Sequence, residues 1–138
     1  MSQAPFISHS FASKQIKSGA TWKVYLNASQ EAGQMKYIVA EINQPGRGSY
    51  PAARIPLRGN HRQAFSGYIY LNTFSPTSLN FTTLTLTVQI EDRSGRFSSA
   101  FSFPVSILPR AEEETPPPGV FAEVDLGPIT VQLETTAP

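Results

Sequence analysis

A chain of 138 residues with no cysteine has room for one domain of ordinary size, and it excludes a disulfide framework or a thiolate zinc site. Its net charge of +1 hides two regions of opposite sign. Residues 1–110 carry all 11 Lys and Arg against Glu31, Glu41, Glu91 and Asp92 (net +7), while residues 111–138 carry six acids and no base (net −6). No run approaches the roughly 20 apolar residues needed to cross a bilayer as a helix.

The opening residues show no charged start followed by a long apolar run, so no leader is expected in the chain as it stands. "PFISHSF" is a short strand candidate. "TWKVYLNA" follows, setting Trp22, Val24, Leu26 and Ala28 against Lys23, Tyr25 and Asn27. "MKYIVAEIN" puts Ile38, Ala40 and Ile42 on one side, and "ARIPL" is a second short candidate. "AFSGYIYLN" sets Phe65, Gly67, Ile69 and Leu71 against Ser66, Tyr68, Tyr70 and Asn72. "LTLTVQI" and "FSFPVSI" then form the arms of a hairpin about "DRSGR". Period-two alternation means strands with one buried and one wet face.

Pro56 and Pro104 cannot donate to a ladder, which assigns their strands to sheet edges or bulges. The loops carry their breakers in "QEAGQ", "QPGRGSYPA", "RGNHRQ" and "FSPTS". No window sustains a helical period. About seven short strands separated by turns predict an all-β antiparallel sandwich over residues 1–108.

After Ile107 the composition changes. "PRAEEETPPPG" predicts an acidic, proline-rich linker over residues 109–119, extended and partly polyproline II. Residues 120–138 form an acidic tail in which "VFAEVDLGPITVQLE" resumes alternation, either as one strand broken at Gly127-Pro128 or as a small hairpin. The tail is read as strand-like or disordered. Docked on an edge of its own sandwich it would cover the basic body; docked on a neighbour's it would make a homodimer.

The order "APFIS…SGATWKVYLNASQEAGQMKYIVAEI…FSGYIYLNT…LTLTVQIEDRSGRFSSAFSFPV" resembles bacterial immunoglobulin-like modules of the cadherin-like and fibronectin-like kind, over residues 4–108. These modules close with a "D-x-x-G-N-x-S" hairpin; here Asp92 to Ser98 supply it, with Arg96 in place of the usual Asn. The resemblance implies an immunoglobulin-like sandwich acting as a structural or adhesive module of an envelope-associated or secreted protein. It implies a place outside the cytoplasm if a leader has been removed. The calcium that some relatives hold is not expected here. Only Glu91 and Asp92 adjoin in the body, whereas a hard cation takes six to eight oxygens.

No enzyme is expected, and no cofactor or metal. His9, a same-face neighbour of Ile7 and Phe11, reads as a half-buried strand residue, and His61 as a solvated loop residue. No motif marks a nucleophile, and Asp92 is assigned to hydrogen-bonding its own turn.

Two clusters remain as binding candidates. If strands 21–28 and 65–73 pair, Tyr25, Tyr68 and Tyr70 share the outer face, where they could stack a glycan or stabilise the sheet. Trp22 shares its face with Val24 and Leu26 and is assigned to the core. The second cluster is Arg47, Arg54, Arg58 and Arg62, with His61, in a stretch without an acid, suited to a polyanionic surface or a protein partner. Nucleic acid is not expected, because no aromatics interleave with these arginines.

Overall fold

The computed structural model describes residues 4–17, 19–44, 48–49, 53–72 and 82–129, with backbone alone described at 48, 49 and 82. Among the described residues, the alternating sequence of the body becomes strand. The strands are β1 (Phe6–Ala12), β2 (Gln15–Lys17), β3 (Thr21–Ser29), β4 (Met35–Gln44), β5 (Gly48–Ser49), β6 (Ala53–Pro56), β7 (Ala64–Asn72), β8 (Thr82–Asp92), β9 (Phe101–Leu108) and β10 (Asp125–Pro128). Among the described residues one 3₁₀ turn, Gly59–Arg62, precedes β7. Among the described residues no helix is long and apolar enough to cross a membrane.

The strands form two sheets. One runs β1-β3-β7-β10; the other runs β2-β9-β8-β4-β5, with β6 also on β4. The N-terminal segment belongs to both, since β1 is antiparallel to β3 and β2 is parallel to β9. Pairing of β3 with β7 in one sheet and of β4, β8 and β9 in the other is the strand order of an immunoglobulin-like sandwich.

The inner faces meet in one core. Trp22, Leu26, Ile38, Ile69, Leu86 and Ile90 are each no more than 1% exposed. Trp22 keeps its one polar atom satisfied, its indole N–H donating to the Ser13 carbonyl at 2.9 Å.

Strand edges follow the prolines. Pro56 lies on β6, whose one partner among the described strands is β4. Pro104 lies on β9 outside the Ser106–Leu108 stretch that β2 pairs. One expected facing is corrected. The register of β1 shifts between Ile7 and His9, so Ile7 stands opposite Ala28 while Phe11 stands opposite Tyr25. The extra residue reverses the faces. Ile7 is buried, His9 is exposed rather than half-buried, and Phe11 lies on the outer side against Tyr25.

Beyond β9 the chain does not leave the body. Glu114 N–H donates to Ser13 Oγ at 2.9 Å, and Glu114 Oε1 accepts from Lys14 N–H at 3.1 Å. The chain then crosses the outer face of the four-stranded sheet, where Asn27 Nδ2 donates to the Val120 carbonyl at 2.7 Å and Ala122 N–H to Ser66 Oγ at 2.8 Å. It ends as β10, parallel to β7, with Tyr68 N–H donating to the Val124 carbonyl and Ile129 N–H to the Tyr70 carbonyl. In an immunoglobulin constant-type sheet the place beside this strand goes to a fourth body strand. Here the acidic C-terminal segment fills it.

Candidate functional site

β3 and β7 pair with Tyr25 opposite Tyr68 and Lys23 opposite Tyr70. The three tyrosines therefore stand together, with ring centroids 5.5 Å apart for Tyr25–Tyr68 and 6.3 Å for Tyr68–Tyr70. They do not form an open platform. Phe121 packs 5.6 Å from the Tyr25 ring, and Tyr25 is only 5% exposed. Its hydroxyl donates to Glu123 Oε1 at 2.9 Å. Burial first, then this hydrogen bond and the carboxylate's charge, push the phenol up to about 12. Lys23 Nζ lies 4.5 Å from the Tyr68 ring centroid and 3.8 Å from Glu123 Oε2. The aromatic face is thus roofed by the tail and by a lysine that the tail holds.

The arginines are divided. Arg47 lies outside the described residues. Arg54 on β6, with Arg58 and His61 around the 3₁₀ turn, lines a groove of about 460 Å³. Arg62 does not line it, and its Nε donates to the Leu57 carbonyl at 3.4 Å. The groove has an apolar floor containing Ile55, Leu57 and Leu126, and its far wall is β10, with Asp125, Gly127 and Pro128. Arg54 Nε reaches Glu91 Oε1 at 3.3 Å, an exposed pair of little energetic weight. No acidic side chain among the described residues pairs with Arg58. His61 is half-buried rather than solvated, 6.5 Å edge-on to Phe65.

The β10 wall was not assigned to any site from sequence. Two glycines carried the signal. Gly67 sits in an otherwise bulky strand, and a Cβ there would collide with the Val124 carbonyl and meet Leu126 at 3.1 Å. Gly127 has φ +135°, and a Cβ there would sit 2.8 Å from Ile55 of the opposite sheet.

The "DRSGR" hairpin is structural. Asp92 is 2% exposed, yet Oδ1 accepts from Ser94 N–H, Ser94 Oγ and Arg96 N–H at 2.7–2.9 Å, and Oδ2 accepts from Gln30 Nε2 at 2.9 Å. Burial alone would raise this carboxyl. The donors outweigh it and hold the group below its ordinary value. Among the described residues no group of three or more His, Asp or Glu could hold a metal ion.

No protein-family model matches the sequence, and no curated protein matches it. Among solved structures, the crystal structure of a CARDB domain from Pyrococcus furiosus, in complex with di-metal ions, is similar at TM-score 0.39 and 9% identity. That likeness covers 78% of this chain and 93% of the other.

Proposed function

We propose that the chain is a non-enzymatic structural and adhesive binding module of a bacterial envelope-associated or secreted protein, with a protein or an anionic surface as its partner. The C-terminal strap carries this reading. It ties the split N-terminal segment at Ser13 and Lys14, the outer face at Asn27 and Tyr25, and the β7 edge into one body. The buried polar groups named above serve to join backbone segments, and Arg58, without an acidic partner among the described residues, is the recognition group in the groove. Carbohydrate binding at Tyr25, Tyr68 and Tyr70 is the rival, and it requires the strap to lift.

The test is solid-phase binding of the labelled full chain to protein-coated and glycan-coated surfaces. Saturable binding to protein surfaces without added ligand is the expected result. A glycan response that grows on Glu123→Gln or Phe121→Ala would favour the tyrosine face instead. Binding to neither surface would overturn the adhesive reading.

A further inference from the structure

We propose that the groove between β6, the 3₁₀ turn and β10 binds a segment of a partner protein that carries carboxylates beside aliphatic side chains, and that β10 must be docked for the site to exist. The inference rests on the binding-module reading and adds the site, the ligand chemistry and the requirement for the strap.

The lining has two chemistries. Arg58 and His61 bring positive or hydrogen-bonding heads to one side, beside Arg54, whose Nε is already held by Glu91 Oε1 at 3.3 Å, and a guanidinium fork suits a carboxylate in bidentate geometry. The floor of Ile55, Leu57 and Leu126 offers apolar area next to those heads. Among the described residues no Phe, Tyr or Trp lines the groove, so the broad stacking platform that sugars use is missing there. Asp125 stands among the lining residues with the opposite sign. A uniformly anionic polymer would meet that charge, whereas a peptide of mixed composition can set a cation or an amide against it.

Strand addition finds few donors on either wall. Leu57 N–H bonds the Lys36 carbonyl at 2.8 Å. By the alternation of an antiparallel pair, the backbone groups of Ile55 then turn toward β4 and those of Arg54 and Pro56 turn into the groove. Pro56 has no N–H to offer. On the facing wall Pro128 has none either, and the Gly127 N–H is occupied by Asp125 Oδ1 at 2.9 Å. With Arg54 N–H the one donor that this pattern leaves on the β6 side, the groove recognises side chains rather than templating a strand.

The site depends on the strap by construction. Asp125, Leu126, Gly127 and Pro128 are four of its lining residues, and they are held there by pairing with β7 beside Gly67.

The experiment uses the full chain and fluorescence anisotropy of a labelled peptide alternating glutamate with leucine. A labelled oligoglutamate and a heparin fragment serve as comparison probes. The glutamate–leucine peptide is expected to bind best. Arg58→Ala should weaken it by about tenfold or more, the scale of losing a charged hydrogen bond. Arg93→Ala, remote from the groove, should leave it unchanged. Gly67→Val should abolish binding with every groove arginine present; if that variant does not fold, Ile129→Asp, at a buried strap residue outside the lining, makes the same test. Equal affinity for all three probes, or unchanged binding in Arg58→Ala, would overturn the site. Unchanged binding in Gly67→Val or Ile129→Asp would overturn the requirement for β10. Adhesion to protein surfaces that survives Arg58→Ala sinks the groove and leaves the module reading standing. Peptide binding without surface adhesion does the reverse.

Discussion

At the scale of the residue, Tyr25 reports on the strap. Its neutral form is favoured in the folded chain, because the phenol is buried and donates to Glu123. The pKa is raised from 10.0 to about 12, so this contribution to stability is whole below 10 and is lost as pH climbs toward 12. Phenolate absorbance should therefore show one late-titrating tyrosine, and Glu123→Gln should bring it back toward 10. An unmoved titration would mean that burial, rather than Glu123, sets the shift. Asp92 works in the opposite sense. Its carboxyl is held below the ordinary value, so its contribution is whole above that value and fades as pH falls through the folded pKa. Asp92→Ala strips four donors of their acceptor and should cost about 1.5–3 kcal/mol in denaturant unfolding, with a flattened acid limb. Trp22→Ala, which empties a site 1% exposed, should cost about 3–5 kcal/mol. Unfolding at wild-type denaturant concentration would contradict its place in the core.

At the scale of the element, Gly67 decides whether β10 docks. A side chain at 67 meets the Val124 backbone, which has no other position while Tyr68 N–H holds its carbonyl. Gly67→Val should release the strap, so that Tyr25 titrates near its ordinary value and amides of residues 66–70 exchange faster. Retained protection at Tyr68 and Tyr70 would show that β7 and the strap adjust around the new side chain. The long strands were legible because period-two alternation survives any tertiary detail. The reversal in β1 was not, since one bulged residue leaves no mark in composition. The tail was legible as alternating sequence, Ile129 included, but its first run does not pack as one face. Val120, Ala122, Val124 and Leu126 read as one side of a strand, yet Val124 is 37% exposed while Ile129 is 4%. The segment crosses the sheet as irregular chain and becomes strand only at Asp125, so the period read from Val120 does not apply to its packing. Of the candidate sites, the tyrosines were placed together by strand pairing alone, and their roof could not be read without the tail's path.

At the scale of the whole molecule, the separation of charge is less decisive than its size suggests. Among the described residues a single ion pair, Lys23–Glu123, joins the acidic tail to the basic body, and both side chains are substantially exposed. Such a pair is worth little and is screened by salt. Backbone pairing with β7, the burial of Ile129 and the close fit at Gly67 hold the strap instead. Raising salt well above physiological strength should leave the Tyr25 titration and the thermal midpoint almost unchanged, whereas Ile129→Asp should lower the midpoint by several degrees. A strap that lifts in salt alone would show electrostatics to be the main tie.

The place of β10 in the chain also sets an order of events during synthesis. The body is made first, and the edge of β7 and the faces of Tyr25 and Tyr68 stay open until the last twenty or so residues of the strap follow. At ~5–20 residues per second that interval is about 1–4 s. For that time the nascent chain presents a bare strand edge beside aromatic side chains, which is a template for association with another emerging copy. Crowded translation, rather than heat or acid, is then the condition under which this sandwich is most exposed to misassembly, and a slow codon run before the strap would lengthen the risk.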